Sequence, residues 1–149
     1  MPYKDLQKGR YSQPHQIYFV TTVLYQRKPL FQDFYCAKNV VYEMRKLQDE
    51  GILDSLAWVI MPDHVHWLFS LNDIFTLSKT MQHFKARTAH SINKFLHQSG
   101  TVWQKAYYDH ALRKEEDIQG IARYIVANPL RSNIVKNIGD YSLWDASLL

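Results

Sequence analysis

Two histidines in the stretch "MPDHVHWLFSL" (61–71) are spaced so that they could share a metal ion. The stretch alternates like a β-strand, and residues i and i+2 of a strand point to the same side. His64 and His66 can therefore converge on one ion, while Val65, Trp67 and Phe69 point the other way, into a core. The alternative is that the two histidines lie on a solvated face without function. A metal site would need at least one further ligand.

The segment "RYIVANP" (123–129) offers that ligand. Tyr124 and Asn128 stand four residues apart in a predicted helix and therefore share a face. An Asn side-chain oxygen is a hard donor that suits Mg²⁺ or Mn²⁺, and Tyr124 would hold its hydroxyl near the same ion. Two alternatives stay open: Tyr124 packs in the core, and Asn128 caps the helix before Pro129. Tyr107 and Tyr108 compete as reactive tyrosines.

The elements that position these residues are predicted from hydrophobic periodicity and from breaks at Pro and Gly. We expect strands in 16–26 and 101–113, a hairpin over 52–71 broken at Pro62-Asp63, and helices over 31–51, 76–100 and 114–129. The order β-α-β-β-α-β plus a third helix predicts an α+β fold of ferredoxin-like (split βαβ) type. Its antiparallel sheet carries helices on one face, and a C-terminal helix carries Tyr124. We expect one domain over 1–149, with 1–14 as an arm that contacts DNA.

Composition excludes several classes of protein. Cys36 is the single cysteine of 149 residues, which excludes a disulfide framework and a thiolate-rich zinc site and fits a reducing cytoplasm. The polar opening predicts no secretory signal, and the apolar runs are too short to span a membrane. A net charge of +4 and a pI of about 9.1 suit a polyanionic partner.

A polar stripe follows the long predicted helix. It comprises His83, Arg87, His90, Lys94 and His97, flanked by Lys79 and Lys85. Such a stripe is either a solvated helix face or a ridge that contacts phosphates, whose affinity would fall steeply with salt. Basic residues that could extend it around the site are Lys105, Arg113, Lys114 and Arg131.

Four blocks of the chain resemble a known family. "MPDHVHWLF" is similar to the HUH signature (His-hydrophobic-His) of single-tyrosine transposases, and "RYIVANPLRSNIV" is similar to the Tyr-Ile-x-x-Asn-Pro segment of their last helix. "KGRYSQPHQIYFVTTV" and "VWQKAYYDHALR" resemble flanking blocks of one branch, the REP-associated tyrosine transposases of bacteria. The resemblance covers nearly the whole chain, and the order of the blocks matches.

The resemblance implies a divalent metal ion, Mg²⁺ or Mn²⁺, and cleavage and rejoining of hairpin-forming single-stranded DNA repeats through a 5′-phosphotyrosine. By position, His64 and His66 match the HUH histidines, Tyr124 matches the nucleophile, and Asn128 matches the polar metal ligand one turn later. It also implies a nucleoid-associated protein of the cytoplasm that acts as a monomer, with a dimer as the alternative.

The family's N-terminal Gly-Arg-Ser motif, linked to reading the foot of the hairpin, is only partly kept. Gly9 and Arg10 match, but Tyr11 stands where Ser is usual. DNA contacts are accordingly expected at Gly9, Arg10, Lys85, Arg87, Lys105, Arg113 and Arg131. Two rival functions stay open: a non-catalytic DNA-binding module, and a metal-dependent protein that processes RNA or nucleotides.

Overall fold

The computed structural model describes residues 15–114 and 116–147. Within them, the strands are β1 (Ile17–Val23), β2 (Leu53–Ile60), β3 (His64–Leu71), β4 (Tyr108–Ala111) and β5 (Trp144–Ala146). The helices are α1 (Phe34–Asp49), α2 (Leu77–Leu96), α3 (Ile118–Val126) and the single turn α4 (Asn128–Arg131).

The strands form one antiparallel sheet in the order β4-β1-β3-β2-β5. The four strands in the order β4-β1-β3-β2 match the arrangement of a ferredoxin-like fold, so the predicted α+β class is confirmed. The histidine strand β3 lies at the centre, between β1 and β2, where both neighbours fix its backbone.

One face of the sheet packs against α1 and α2. Val65, Trp67 and Phe69 of β3 are buried there, as the alternation predicts, and the Trp67 ring lies 5.3 Å from the Phe84 ring of α2. The caps of both helices are local: the Asp33 carboxylate accepts backbone N–H groups at the start of α1, and the Thr76 hydroxyl does so for α2.

The other face of the sheet carries α3. Ala122 and Ile125 of this helix are fully buried against Ala57, Val59 and Leu68. The helix therefore covers the β2 side of the face to which the histidines point. Helices thus flank the sheet on both sides, and the tyrosine-bearing helix α3 lies on the histidine side.

Four segments differ from the sequence prediction. The helix expected over 114–129 is Ile118–Val126, and a separate helical turn, Asn128–Arg131, follows it and includes Pro129. The strand expected over 16–26 ends at Val23, because Gln26 and Arg27 both adopt left-handed backbone angles in a short 3₁₀ turn. The strand expected over 101–113 is only Tyr108–Ala111. The C-terminal tail adds β5, which pairs with the edge of β2. No helix in the described part of the chain combines the length and apolar character needed to cross a bilayer.

Candidate active site

The two histidines lie side by side on the α3 side of the sheet. The His64 and His66 ring centroids are 4.8 Å apart, with the ring planes at 78°. Both residues are half-buried, whereas Val65 between them is buried on the opposite face. The predicted same-side placement of the pair is therefore observed.

His64 is held by a charged neighbour. Its Nδ1 donates to Asp63 Oδ1 at 2.7 Å, and Arg27 Nη1 donates to the other carboxylate oxygen at 3.1 Å. Burial of the Asp63 carboxyl acts to raise its pKa, but the hydrogen bonds from His64 and Arg27 outweigh burial and hold the pKa below its ordinary value. Asp63 is therefore an anion that fixes the orientation of the His64 ring.

His66 is held by a neutral neighbour. A hydrogen bond of 2.8 Å joins its Nδ1 to Thr21 Oγ1, and the Phe19 ring meets it edge-on at 5.6 Å. Burial, and then the positive charges of His64 and Arg131, lower the pKa of His66 to about 4. The ring is therefore neutral at pH 7, which is the form that can ligate a metal ion.

The histidine pair fits a metal-binding role on the chemistry of its donors. Nδ1 of each ring is taken by a hydrogen bond, so Nε2 is the nitrogen that remains for an ion. Metal-ligating histidines typically use one nitrogen for the metal and tie the other to a carboxylate, carbonyl or water. The described residues contain no group of three or more His, Cys, Asp or Glu side chains that could hold an ion. A third protein ligand in this part of the chain would therefore be of another type, such as an amide oxygen.

Tyr124 lies on the outer side of α3. Its side chain is 54% exposed, whereas Ile125, the next residue, is fully buried. This exposure disfavours the interpretation of Tyr124 as a core residue. The guanidinium carbon of Arg131 lies 3.8 Å from the centroid of the Tyr124 ring. At that distance a cation is attracted to the face of the ring.

Arg131 connects the tyrosine with the histidine pair. The same guanidinium that covers Tyr124 lowers the pKa of His66 through its charge. The helix α3 packs against β2 and β3, and α4 with Arg131 follows it directly along the chain. The structure thus brings Tyr124 and Arg131 to the side of the sheet that carries His64 and His66.

Asn128 is the first residue of α4, one turn after Tyr124. It is half-buried, and its Oδ1 accepts a hydrogen bond from the Ser132 hydroxyl at 3.2 Å. The residue before α4 is Ala127, and no side chain caps this turn. A carbonyl oxygen has two acceptor sites, so Oδ1 could still serve an ion.

The two competing tyrosines point to opposite sides of the sheet. Tyr107 packs against the core of the α1 and α2 side, with the Lys85 ammonium 5.8 Å from its ring centroid. Tyr108 is paired with Thr21, whose hydroxyl contacts His66, so its side chain lies on the histidine side. Tyr108 therefore stays the nearer competitor of Tyr124.

Two of the expected DNA-contacting residues lie away from the histidine pair and have partners within the chain. Lys85 Nζ donates to the carbonyl oxygens of Gln104 and Lys105, at 2.6 and 3.0 Å, and Arg87 pairs with Glu50 at 2.7 Å. Both cations belong to α2, on the far side of the sheet. The remaining expected contacts are the exposed Lys105, Arg113 near Glu116 at 3.7 Å, Arg131 in the site, and Gly9 and Arg10, which lie outside the described residues.

Sequence reasoning missed three residues of the site: Thr21, Arg27 and Asp63. Asp63 directly precedes His64, so a carboxylate next to a candidate ligand was the available signal. Thr21 and Arg27 have no local signal, because they come near His66 and Asp63 only when β1 pairs with β3.

Comparison with known proteins finds similarity to transposases. Residues 12–128 match the model of the family described as Transposase IS200 like. A REP-associated tyrosine transposase of Escherichia coli (strain K12) is 31% identical over 87 residues, which cover 57% of this chain and 49% of that protein. This chain thus spans about half the length of that relative. A Haemophilus influenzae protein provisionally named as one of the same group is 24% identical over 136 residues, covering 84% of this chain and 76% of that protein.

A solved structure shares the fold. It is the structure of a REP-associated tyrosine transposase bound to a REP hairpin, with a TM-score of 0.75 and 23% sequence identity. The match covers 91% of this chain and 79% of that one. The overall fold of this chain therefore recurs in that protein.

Proposed function

This chain belongs to the family described as Transposase IS200 like, and we propose that it cleaves and rejoins hairpin-forming single-stranded DNA with Tyr124 as its nucleophile. The family membership confirms the resemblance predicted from the sequence blocks and makes the chain a relative of DNA-cleaving enzymes. The observation that carries the finer proposal is the placement of Tyr124: it is exposed on α3, lies under the Arg131 guanidinium, and belongs to the helix that packs on the face to which His64 and His66 point.

The proposed substrate is a REP-type hairpin with an unpaired flanking strand. The named relatives are REP-associated transposases, and one solved structure contains a REP hairpin. The basic excess of this chain, +4 at neutral pH, suits such a polyanion.

A divalent cation, Mg²⁺ or Mn²⁺, is part of the proposal. His64 and His66 would hold it through Nε2, and Asn128 through Oδ1. When bound, such an ion supplies charge neutralisation at the non-bridging oxygens of the scissile phosphate. Asp63 and Thr21 keep the two rings oriented for this role.

The chemical step is a transesterification. The Tyr124 hydroxyl loses its proton to solvent, and its oxygen forms a bond to the phosphorus. The bond between the phosphorus and the 3′ oxygen breaks, and that oxygen leaves and takes up a proton as a free 3′-OH. The product is a 5′-phosphotyrosine. Because the ester bond is conserved, a 3′-OH can attack it and rejoin the strand without ATP.

Arg131 contributes in two ways to this step. Its contact with the ring restricts the Tyr124 side chain, which is otherwise exposed. Its positive charge, next to the Tyr124 ring, would also stabilise the negative charge that develops on a phosphate attacked by Tyr124.

The test is Tyr124→Phe, which removes the hydroxyl and keeps the ring beneath Arg131. Incubated with labelled hairpin DNA and Mn²⁺, the wild type should give a covalent adduct that survives denaturation. Tyr124→Phe should give no adduct and no cleavage, with unchanged melting temperature and DNA affinity. The matched control is Tyr108→Phe, which should form the adduct normally.

Three outcomes would contradict parts of this proposal. An adduct that maps to Tyr108 would keep the reaction and change the nucleophile. Cleavage by Tyr124→Phe without an adduct would make water the attacking group. Tight hairpin binding without cleavage by the wild type would favour the non-catalytic DNA-binding module.

A further inference from the structure

A straight row of paired residues crosses the whole sheet through His66. Tyr108 on β4 is opposite Thr21 on β1, Thr21 is opposite His66 on β3, His66 is opposite Val59 on β2, and Val59 is opposite Trp144 on β5. Residues that pair directly across antiparallel strands point to the same face. The five side chains therefore share the face of the candidate active site.

The two ends of this row differ. On the β5 side, Trp144 is half-buried and packs with the cluster that seats α3. On the β4 side, the Tyr108 side chain is 70% exposed, the most of any large hydrophobic residue in the described part of the chain. The row thus leads from a covered edge, through His66, to an open aromatic ring.

Among the described residues, Tyr108 is not part of either apolar cluster of the core. Its neighbour Tyr107 supplies the packing, on the opposite side of the strand against the core. Edge strands such as β4 commonly carry charged residues at their exposed positions. A large ring there is instead suited to a ligand with a flat face.

We propose that Tyr108 is a base-stacking residue that receives an unpaired base of the strand to be cleaved. The inference rests on the proposed function, since it takes the scissile phosphate to lie at the histidine pair. Neighbouring strands are about 4.8 Å apart, so Tyr108 lies two strands, about 10 Å, from His66. A stacked strand advances about 3.4 Å per nucleotide, which places the base within about three nucleotides of the scissile phosphate.

This contact would position the strand rather than take part in the chemistry. Stacking on an aromatic side chain tolerates any base and fixes the strand along the sheet. With Tyr108 at the edge and Tyr124 and Arg131 on the other side of the histidines, the strand would cross the open half of this face. The three groups would then hold it at both sides of the phosphate.

An equally exposed tyrosine elsewhere provides a matched control. Tyr35 on α1 is 67% exposed but lies on the opposite side of the sheet. If exposed tyrosines bind DNA unspecifically, Tyr35 and Tyr108 should matter equally.

The test combines photo-crosslinking with substitution. Hairpin DNA carries iododeoxyuridine at each unpaired position in turn, and the Tyr124→Phe protein binds it without cleavage. Irradiation should crosslink Tyr108, identified by peptide mass spectrometry, from positions within about three nucleotides of the scissile phosphate. Tyr108→Ala should weaken single-strand binding by about 5- to 150-fold, the range of one lost stack, and raise KM while kcat at saturating DNA stays near wild type. Tyr108→Phe should bind like the wild type, and so should Tyr35→Ala.

The proposal is overturned if Tyr108→Ala binds and cleaves like the wild type, or if the crosslinks map to Tyr35. It is also overturned if Tyr108→Phe loses as much affinity as Tyr108→Ala, because the hydroxyl and not the ring would then be required. Failure of the proposed function gives a different pattern: no covalent adduct forms in the wild type, while the Tyr108 crosslink and the affinity loss persist.

Discussion

Removing the Asp63 carboxylate should weaken metal binding without unfolding the chain. The carboxylate accepts the Nδ1–H of His64 at 2.7 Å and is itself held by Arg27 at 3.1 Å. In Asp63→Ala the imidazole loses the partner that fixes both its rotation and the nitrogen that bears the proton. Nε2 is then free to carry the proton in part of the population, and that fraction cannot ligate an ion.

The magnitude follows from the nature of this contact. Loss of an outer partner of a metal-ligating histidine typically costs about 10- to 100-fold in affinity, or about 1.4–2.7 kcal/mol. Asp63→Asn should lie between wild type and Asp63→Ala, because its amide oxygen still accepts the hydrogen bond but without the charge that strengthens it. Arg27→Ala should have the smallest effect, since its exposed side chain contacts His64 only through Asp63.

The assay is titration of Mn²⁺ into the folded, DNA-free protein by calorimetry or electron paramagnetic resonance. Nitrogen NMR shifts of the His64 ring, recorded without metal, should show the Nδ1–H form in the wild type and a mixture in Asp63→Ala. The melting temperature should change little, because the backbone carbonyl of Asp63, which accepts Leu24 N–H at 2.8 Å, stays in place. Asp54→Asn, an exposed carboxylate on β2, is the control.

Unchanged Mn²⁺ affinity in a folded Asp63→Ala protein would refute the reasoning. It would mean that His64 is not a ligand or that its orientation is fixed by packing alone. A loss in Asp54→Asn as large as that in Asp63→Ala would point to a general effect of charge.

Three further outcomes are expected. Asn128→Ala should shift the Mn²⁺ midpoint of cleavage upward while the protein stays folded, and an unchanged midpoint would leave Asn128 outside the metal site. The Cys36 thiol, fully buried and with its pKa raised to about 11 by burial and then by Asp33, should not react with a disulfide reagent at pH 8 until the chain unfolds in denaturant; rapid reaction of the native protein would contradict this. Single-strand binding should weaken roughly 50-fold between 50 and 200 mM salt if about four phosphates are contacted, and perfect duplex of equal length should compete poorly.

The alternating pattern of β3 was sufficient to predict much of this site from the sequence. The alternation of β3 was enough to place His64 and His66 on one face and Trp67 in the core, because a period of two depends only on local backbone geometry. Leu68 breaks the pattern, since it is fully buried on the histidine side beneath α3. Leu68 is buried because α3, which begins 50 residues later in the chain, packs on it. The sequence of the strand does not indicate this contact.

The partners of the basic residues could not be predicted in the same way. Periodicity places Lys85 and Arg87 on the surface of α2, but it does not show what that surface meets. In the structure, Lys85 donates hydrogen bonds to the carbonyl oxygens of Gln104 and Lys105, and Arg87 forms a salt bridge with Glu50. Each contact depends on how distant segments pack, and Thr21 and Arg27 escaped prediction for the same reason.

The site is divided between a rigid sheet and a helix that depends on it. The histidines lie on the central strand, whereas Tyr124 lies on α3, a nine-residue helix that is too short to be stable alone in water. Its position is set by Ala122 and Ile125, which are fully buried against β2 and leave Tyr124 on the exposed side. The position of Tyr124 relative to the sheet is therefore determined by apolar packing at β2, and Arg131 contacts the exposed face of its ring. If Tyr124 is the nucleophile, substitutions of Ala122 or Ile125 should therefore impair cleavage although neither side chain is polar, because these two residues seat the helix that carries the tyrosine.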